Sequence, residues 1–383
     1  MTNKPRILAI KEKRSLWGDD GTAVYFLNYL RELKLRGIFV FVMVSEGDEK
    51  IIQEIKDLQI PYWEMPRVNI SFKHPLNTLL RILSIRYNIN KFIKKHSLNI
   101  LEFHHAGLSH LKPFLCNISI IVNQSGALSK EQILKQEMLL SKENYLVRLR
   151  RKIRFKLDIA DLMIVQGEDA KATTILQFDY KKDNFLVSPF GTTRAQLYSE
   201  YCNQEGPFKI IACGRFSVDK GMHDLVDIAK KLHSDYPGKF LIEHLGHVDK
   251  NNKEVNTAYQ NGKDFINFRG VVSDPVTYMN SAWALLNCSH REAAGLVNFE
   301  AKSASIPIFS WDVVGNREFI THDVNGYLFK QGSIDEMVKR LNVVSDNILL
   351  YHKLRKNSFK DYEVNFKFTK HIDRYEMAIN KLL

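Results

Sequence analysis

Two stretches of the sequence carry residues whose types and spacing suit the handling of phosphate. The first runs from Ser289 to Pro307, SHREAAGLVNFEAKSASIP. A cation and a carboxylate, Arg291 and Glu292, precede Gly295, and Glu300 follows it. The preceding run, Ala282 to Leu286, reads as a buried parallel strand, and Leu296, Phe299 and Ala301 start a helical pattern. A glycine turn between a strand end and a helix start offers free backbone N–H groups and the positive end of the helix dipole, which together bind phosphate. Glu300, about one turn into the helix, is placed to accept hydrogen bonds from vicinal hydroxyls such as a ribose edge. Glu292, before the turn, is within reach of a second polyol beyond the phosphates. Phosphate flanked by two hydroxyl-binding carboxylates suits a nucleotide diphospho-sugar.

The second stretch is Gly214–Gly221, GRFSVDKG. It follows the apolar run Phe208–Cys213 and precedes a helix whose inward face is Leu225, Val226, Ile228, Ala229 and Leu232. Arg215 and Lys220 are therefore presented at a strand end. An arginine fork and a lysine point charge suit the negative charge of a diphosphate.

The elements that position these residues repeat. Arg6 to Ile10 is a strand, and its loop ends at Gly21. An amphipathic helix then begins near Thr22 with Val24, Leu27, Leu30 and Leu33 on one face and Gly37 as its C-cap; Ile38 to Val44 is the next strand. Ile100 to Phe103 is a strand ending in His104 and His105, and Ile118 to Val122 is another. Ser129 to Phe155 follows a long helical pattern. Further strands are expected over Phe240–Gly246 and Phe265–Val272, and an amphipathic helix over Phe368–Leu383. Each half opens with strand, glycine loop and amphipathic helix. That predicts two doubly wound α/β domains, 1–190 and 191–367.

Bulk properties bound the rest. The chain has 383 residues, 45% of them hydrophobic, and no apolar run of spanning length. Four scattered cysteines, none in a CxxC pair, read as buried thiols in a reducing compartment. Asp19 and Asp20 are adjacent acids in a loop, no D-x-D occurs, and no metal ion is expected. The net charge of +12 is concentrated in the N-terminal half. Residues 65–101 hold seven Lys and Arg and no acid, interleaved with Leu and Ile, and residues 148–156 hold six more. Such a half implies an anionic partner. The interleaving residues are aliphatic rather than stacking aromatics and no nucleic-acid motif occurs, so the expected partner is an anionic membrane surface.

Glu292 and Glu300, with Gly295 between them, resemble the E-x7-E signature of retaining GT-B glycosyltransferases, glycosyltransferase family four. The likeness extends along nearly the whole chain. Gly214-Arg215 with Lys220-Gly221 resembles that family's G-R-x4-K-G loop, and Phe268–Val272 its F-x-G strand end. Asn325–Leu328 resembles its N-G-x-L turn, and Ser188–Thr192 its interdomain linker. Val313–Glu318 stands in place of its G-G-x-x-E loop, with Arg317 a departure, and Gln124 lies where many relatives carry a histidine.

The resemblance implies two domains facing across a cleft, with 368–383 returning to the first, and transfer of a sugar to an acceptor hydroxyl. It assigns Arg215, Lys220 and Glu292 to catalysis and donor orientation. Backbone N–H groups near Gly295 and Leu296 would hold phosphate, with Gly214 and Val297 also binding the donor, Glu300 the ribose, and the backbone at Val271 the base. Gly21 and Thr22 would lie where donor phosphate and acceptor meet, with His104 and His105 on the acceptor side. The implied acceptor is a lipid-linked saccharide, used by a peripheral protein at the cytoplasmic face of the plasma membrane. Two rival readings are a hydrolysing nucleotide-sugar epimerase of the same fold and a basic membrane- or nucleic-acid-binding protein with a vestigial nucleotide site.

Overall fold

Short apolar runs bounded by polar turns form the strands, and most are buried on both faces, as a parallel sheet covered by helices requires. The computed structural model describes residues 4–12, 21–66, 75–112, 118–124, 157–193, 206–290, 292 and 295–383. The chain divides into two units, Met1–Ser188 with Thr369–Leu383, and Pro189–Phe368.

The first unit holds β1 (Arg6–Lys11), β2 (Phe39–Ser45), β3 (Tyr62–Met65), β4 (Ile100–Phe103), β5 (Ser119–Asn123), β6 (Leu162–Val165) and β7 (Phe185–Val187). They form one parallel sheet in the order β3-β2-β1-β4-β5-β6-β7. Its described helices are α1 (Gly21–Leu35), α2 (Glu49–Asp57), α3 (Pro75–His96) and α4 (Glu168–Phe178). The order reverses between β1 and β4, the signature of a doubly wound sheet.

The second unit repeats the plan with β8 (Phe208–Cys213), β9 (Phe240–Leu245), β10 (Ile266–Gly270), β11 (Ala284–Asn287), β12 (Ile308–Trp311) and β13 (Gly326–Phe329). Their order is β10-β9-β8-β11-β12-β13, again parallel, with the reversal between β8 and β11. Its described α-helices are α5 (Met222–Asp235), α6 (Lys253–Gly262), α7 (Pro275–Asn280), α8 (Leu296–Ser303), α9 (Asn316–Phe319), α10 (Ile334–Ser345) and α11 (Ile348–Asp361). Alternation along β8 supplies both cores. Ile210 and Ala212 join the cluster around Trp283, Trp311 and Leu225, while Ile211 packs with Leu285, Ala301 and Ile308 on the other face. The last helix is α12 (Phe368–Asn380).

Local differences from the sequence reading have simple causes. The buried face of α1 is wider than Val24, Leu27, Leu30 and Leu33, because Tyr25, Phe26 and Tyr29 are also buried while Val24 is only half-buried. β10 stops at Gly270, whose φ of +73° turns the chain, so Val271 and Val272 lie beyond the strand. The helical pattern at 129–155 and the basic run at 148–156 lie outside the described residues.

A buried polar network fastens α12 into the first unit. Glu102 on β4 is fully buried, and its Oε2 accepts from Tyr29 Oη at 2.5 Å and Tyr375 Oη at 2.6 Å. Tyr25 Oη lies 3.1 Å from His371 Nε2, and His371 Nδ1 lies 2.8 Å from Ser188 Oγ. Asn123 Nδ2 donates to Tyr25 Oη at 3.0 Å. Outside, Arg36 pairs with Asp373 at 2.8 Å and Glu376 at 2.9 Å. Burial pushes the Glu102 carboxyl up to about 7, against the pull of the Tyr29, Tyr375 and Asn123 hydrogen bonds. A carboxyl raised on folding makes the native state bind the extra proton. Its stabilising contribution is therefore present below the unfolded value near 4.5 and is lost as pH rises through about 7. Relative to wild type, Glu102→Gln should gain stability by up to about 3 kcal/mol between pH 4.5 and pH 8. Urea unfolding of both proteins across that range checks it; a pH-independent difference would contradict the assignment.

Candidate functional site

β8 and β11 are hydrogen-bonded neighbours, with Ile210 opposite Ala284 and Ile211 opposite Leu285. Because they run parallel, the loops that leave their carboxyl ends emerge side by side. Those loops are Gly214–Gly221 and the turn between Asn287 and Leu296, the two stretches singled out by chemistry. A ligand crevice is expected at such a reversal point.

Backbone contacts stitch the loops together. The His290 N–H donates to the Asp219 carbonyl at 3.0 Å. His290 Nε2 lies 2.8 Å from Asp224 Oδ2, which also accepts from Trp311 Nε1 at 2.8 Å. Gly221 has a φ of +69°, and a Cβ there would lie 1.9 Å from the Cys288 carbonyl oxygen, so only glycine permits this approach. Gly295 caps α8 with a φ of +60°, which turns the chain into the helix.

Charged groups converge on this place. Lys220 Nζ donates to Glu292 Oε2 at 2.5 Å, across 72 residues of sequence. Arg215 is held only loosely, 3.7 Å from Asp219, and its side chain is 62% exposed. Burial pushes the Asp219 carboxyl up, but the Ser217 hydroxyl, Arg215 and Lys220 outweigh it and leave the group more acidic than usual. Glu300 is 8% exposed, at the fifth position of α8. Leu296 and Val297 are half-buried in the first turn of α8, and their N–H groups belong to the set without intrahelical partners. Gly214 has a φ of +138°, and Val271 is 63% exposed. Arg291 lies outside the described residues.

A pocket beside the two cations is lined by Gly214, Arg215, Lys220, His244, Asn287 and Ser289, among others. His244 and Asn287 were not foreseen from the sequence. His244 is buried with its ring 5.3 Å from that of Phe216, and burial pushes its pKa down to about 4, so it is neutral. Asn287 sits at the end of an apolar strand pattern, and that break in polarity is the signal that marks it.

In the first unit β1 and β4 are the neighbours at the reversal. Gly21 and Thr22 open α1, and Lys11 Nζ, at the end of β1, donates to Thr22 Oγ1 at 2.9 Å. His104 follows β4 but is only 5% exposed, packed edge-on against Phe26 at 4.5 Å, with Nε2 3.2 Å from Glu102 Oε1. Burial and then Lys11 hold its pKa well below the usual value. His105 is half-exposed. Among the described residues no group of His, Cys, Asp and Glu is arranged to hold a metal ion, and Asp19 and Asp20 lie outside them.

Comparison with known proteins supports this fold. The whole chain resembles the solved Anabaena Alr3699/HepE in complex with UDP-glucose at a TM-score of 0.73, with 15% identity, 98% of this chain and 100% of that chain covered. The fold is that of GT-B glycosyltransferases, two parallel-sheet Rossmann-like units. Residues 199–361 match the family Glycosyl transferases group 1, which makes this stretch a group 1 glycosyltransferase domain. The poly(glycerol-phosphate) alpha-glucosyltransferase of Bacillus subtilis (strain 168) is 26% identical over 137 residues, 35% of this chain and 20% of that protein. The capsular polysaccharide biosynthesis glycosyltransferase CapM of Staphylococcus aureus is 24% identical over 162 residues, 42% of each. The matched stretches thus span less than half the length of these two relatives.

The glycine contacts give a direct check. Gly221→Ala meets a backbone carbonyl, whereas a Cβ at Gly214 meets nothing within 4 Å. Both variants strain the backbone, but Gly221→Ala should be less stable by about 2 kcal/mol more than Gly214→Ala. Thermal unfolding of the two variants decides this; equal midpoints would mean that the loops can separate without cost.

Proposed function

We propose that the protein transfers a sugar, with retention of anomeric configuration, from a nucleotide diphospho-sugar bound by its second unit to an acceptor hydroxyl. The observation that carries this reading is the meeting of Lys220, Arg215 and Glu292 at the N-terminus of α8. Without ligand, Lys220 and Glu292 neutralise one another. A diphosphate competes for Lys220, recruits the exposed Arg215, and accepts from the N–H groups at Gly295, Leu296 and Val297. That exchange releases Glu292 to orient the sugar hydroxyls. Glu300 holds the ribose, and the backbone at Val271 contacts the base. The match of residues 199–361 and the UDP-glucose complex of a protein with the same fold support the donor class.

In the reaction, negative charge develops on the departing diphosphate. Two cations and a helix terminus set in place beforehand stabilise that charge without reorganising. The acceptor hydroxyl attacks the face that the diphosphate leaves, and a phosphate oxygen of the donor takes its proton. No protein nucleophile enters, and the two cations do the electrostatic work of a divalent ion. Arg215→Ala or Lys220→Ala should each lower turnover by about 100-fold or more, while Glu300→Ala should mainly raise the donor KM. Activity should persist in excess chelator. Steady-state kinetics with a donor found by thermal-shift screening tests both; near-wild-type turnover in both cation variants sinks the site assignment.

The acceptor reading rests on α3. Leu76, Leu79, Leu80, Leu83 and Tyr87 recur at helical spacing and stay exposed, while Ile85, Ile89 and Ile93 pack inward. Arg81, Lys91, Lys94 and Lys95 are exposed on the same helix. Among the described residues no helix is long and apolar enough to cross a membrane. An exposed leucine stripe flanked by cations suits the interface of an anionic bilayer, where each basic residue contributes on the order of 1 kcal/mol. That would bring the first unit to a lipid-linked saccharide, consistent with relatives named as a capsular polysaccharide biosynthesis glycosyltransferase and a poly(glycerol-phosphate) alpha-glucosyltransferase. Sedimentation with anionic vesicles should therefore deplete the protein from solution, less so at high salt, and Leu79→Glu with Leu80→Glu should abolish the effect. Equal recovery with neutral and anionic vesicles would argue for a soluble acceptor.

A further inference from the structure

Beneath the turn that carries Glu292 and Gly295 lies a cluster of side-chain amides to which the donor reading gives no role. Asn287 ends β11, Asn298 sits in the first turn of α8, and Asn316 opens α9. Asn298 and Asn316 are fully buried, and Asn287 is 5% exposed. Asn287 Nδ2 donates to Asn298 Oδ1 at 3.0 Å and, more weakly, to Asn316 Oδ1 at 3.4 Å. Asn298 Nδ2 donates to Asn316 Oδ1 at 2.9 Å. Asn316 Nδ2 donates to Ser310 Oγ at 2.7 Å, and Ser310 Oγ donates to the Asn287 carbonyl at 3.0 Å. Asn287 Oδ1 accepts from the Ser289 N–H at 3.1 Å.

The bonds close on themselves. Each amide both gives and accepts, and a buried amide that lost its partner would bear the full cost of desolvation. The arrangement is therefore strongly determined. It joins the ends of β11 and β12 to the starts of α8 and α9. The turn with Glu292 leaves the sheet at Asn287 and re-enters helix at Leu296, so the network pins it at both ends. The contact is direct, since a Cβ at Gly295 would lie 2.7 Å from Asn298 Nδ2 and 2.9 Å from Glu292 Cγ. Neutral amides suit this place. They fix backbone geometry without adding a charge beside the Lys220–Glu292 pair or a bound phosphate.

We propose that Asn287, Asn298 and Asn316 are positioning residues of the donor site, setting the spacing between Glu292, the free N–H groups of α8 and Glu300, and through it the affinity for the diphosphate. The proposal rests on the donor reading above. Its test is calorimetric titration of wild type, Asn298→Asp, Asn298→Leu and Ser310→Ala with UDP, GDP and ADP, with steady-state kinetics on the transferase. Asn298→Asp keeps the shape but turns a donor toward Asn316 into an acceptor. Asn298→Leu is neutral, and so separates lost hydrogen bonds from added charge. For whichever nucleotide wild type binds, both Asn298 variants should raise Kd by about tenfold or more, and Ser310→Ala by about threefold. Donor KM should rise with Kd while acceptor KM stays unchanged. If the Asn298 variants fail to fold, Ser310→Ala, which removes the two network bonds of Ser310 Oγ and little volume, carries the test. A network that only supports the fold would lower the unfolding midpoint and leave Kd per folded molecule as in wild type, which overturns the proposal and leaves the donor reading standing. A wild type that binds none of the three nucleotides, nor CDP or dTDP, overturns the donor reading and this proposal with it.

Discussion

The structure of the second unit depends on the pairing of β8 with β11. A parallel sheet sends every strand's carboxyl end to the same edge. Where the strand order reverses, two adjacent loops part from one another and leave room between them. Here those loops hold Lys220 and Glu292, which meet at 2.5 Å. Had the sheet been ordered so that β8 and β11 were apart, the same residues would be two unrelated surface charges. The glycine at 221 follows from this pairing, because a side chain there would collide with the Cys288 carbonyl and hold the loops apart.

Electrostatics in this unit is arranged at two depths. At the surface, Lys220, Arg215, Asp219 and Glu292 compensate one another in pairs that remain partly exposed, and so can be exchanged for a ligand at modest cost. Beneath them the polar groups are neutral amides and hydroxyls with fixed partners. A buried ion pair in their place would be harder to satisfy and would alter the field at the helix terminus. Glu243 and Arg355 are buried charges elsewhere in this unit, and Lys302 is another. It is fully buried in α8, bonded to Asp361 and the Phe319 carbonyl, and it anchors the far end of that helix.

The first unit uses the same topology with different chemistry. Its reversal brings Lys11, Thr22 and His104 to one edge, but His104 and Glu102 are sealed in an aromatic box of Phe26, Tyr29 and Tyr375. This cluster ties the returning helix α12 to the unit. Apolar surface left outside includes the stripe on α3, whose outer leucines face solvent while its inner isoleucines are buried.

The sequence alone determined the periodicities, and with them many of the strands and helices and the two-unit plan. An alternation or a 3.6-residue repeat is local, and the doubly wound order follows from repeated strand–loop–helix units. It also marked Arg215, Lys220, Gly295 and Glu300, because glycine, cation and carboxylate at a strand end are chemically conspicuous. Only the tertiary structure decided that Lys220 is occupied by Glu292, that His104 is a core residue, and that Asn287, Asn298 and Asn316 form one network. Each of these is a contact between residues distant in the chain. Whether a polar side chain is solvated, paired or buried depends on which strands become neighbours, and that follows from packing the whole sheet rather than from any one segment.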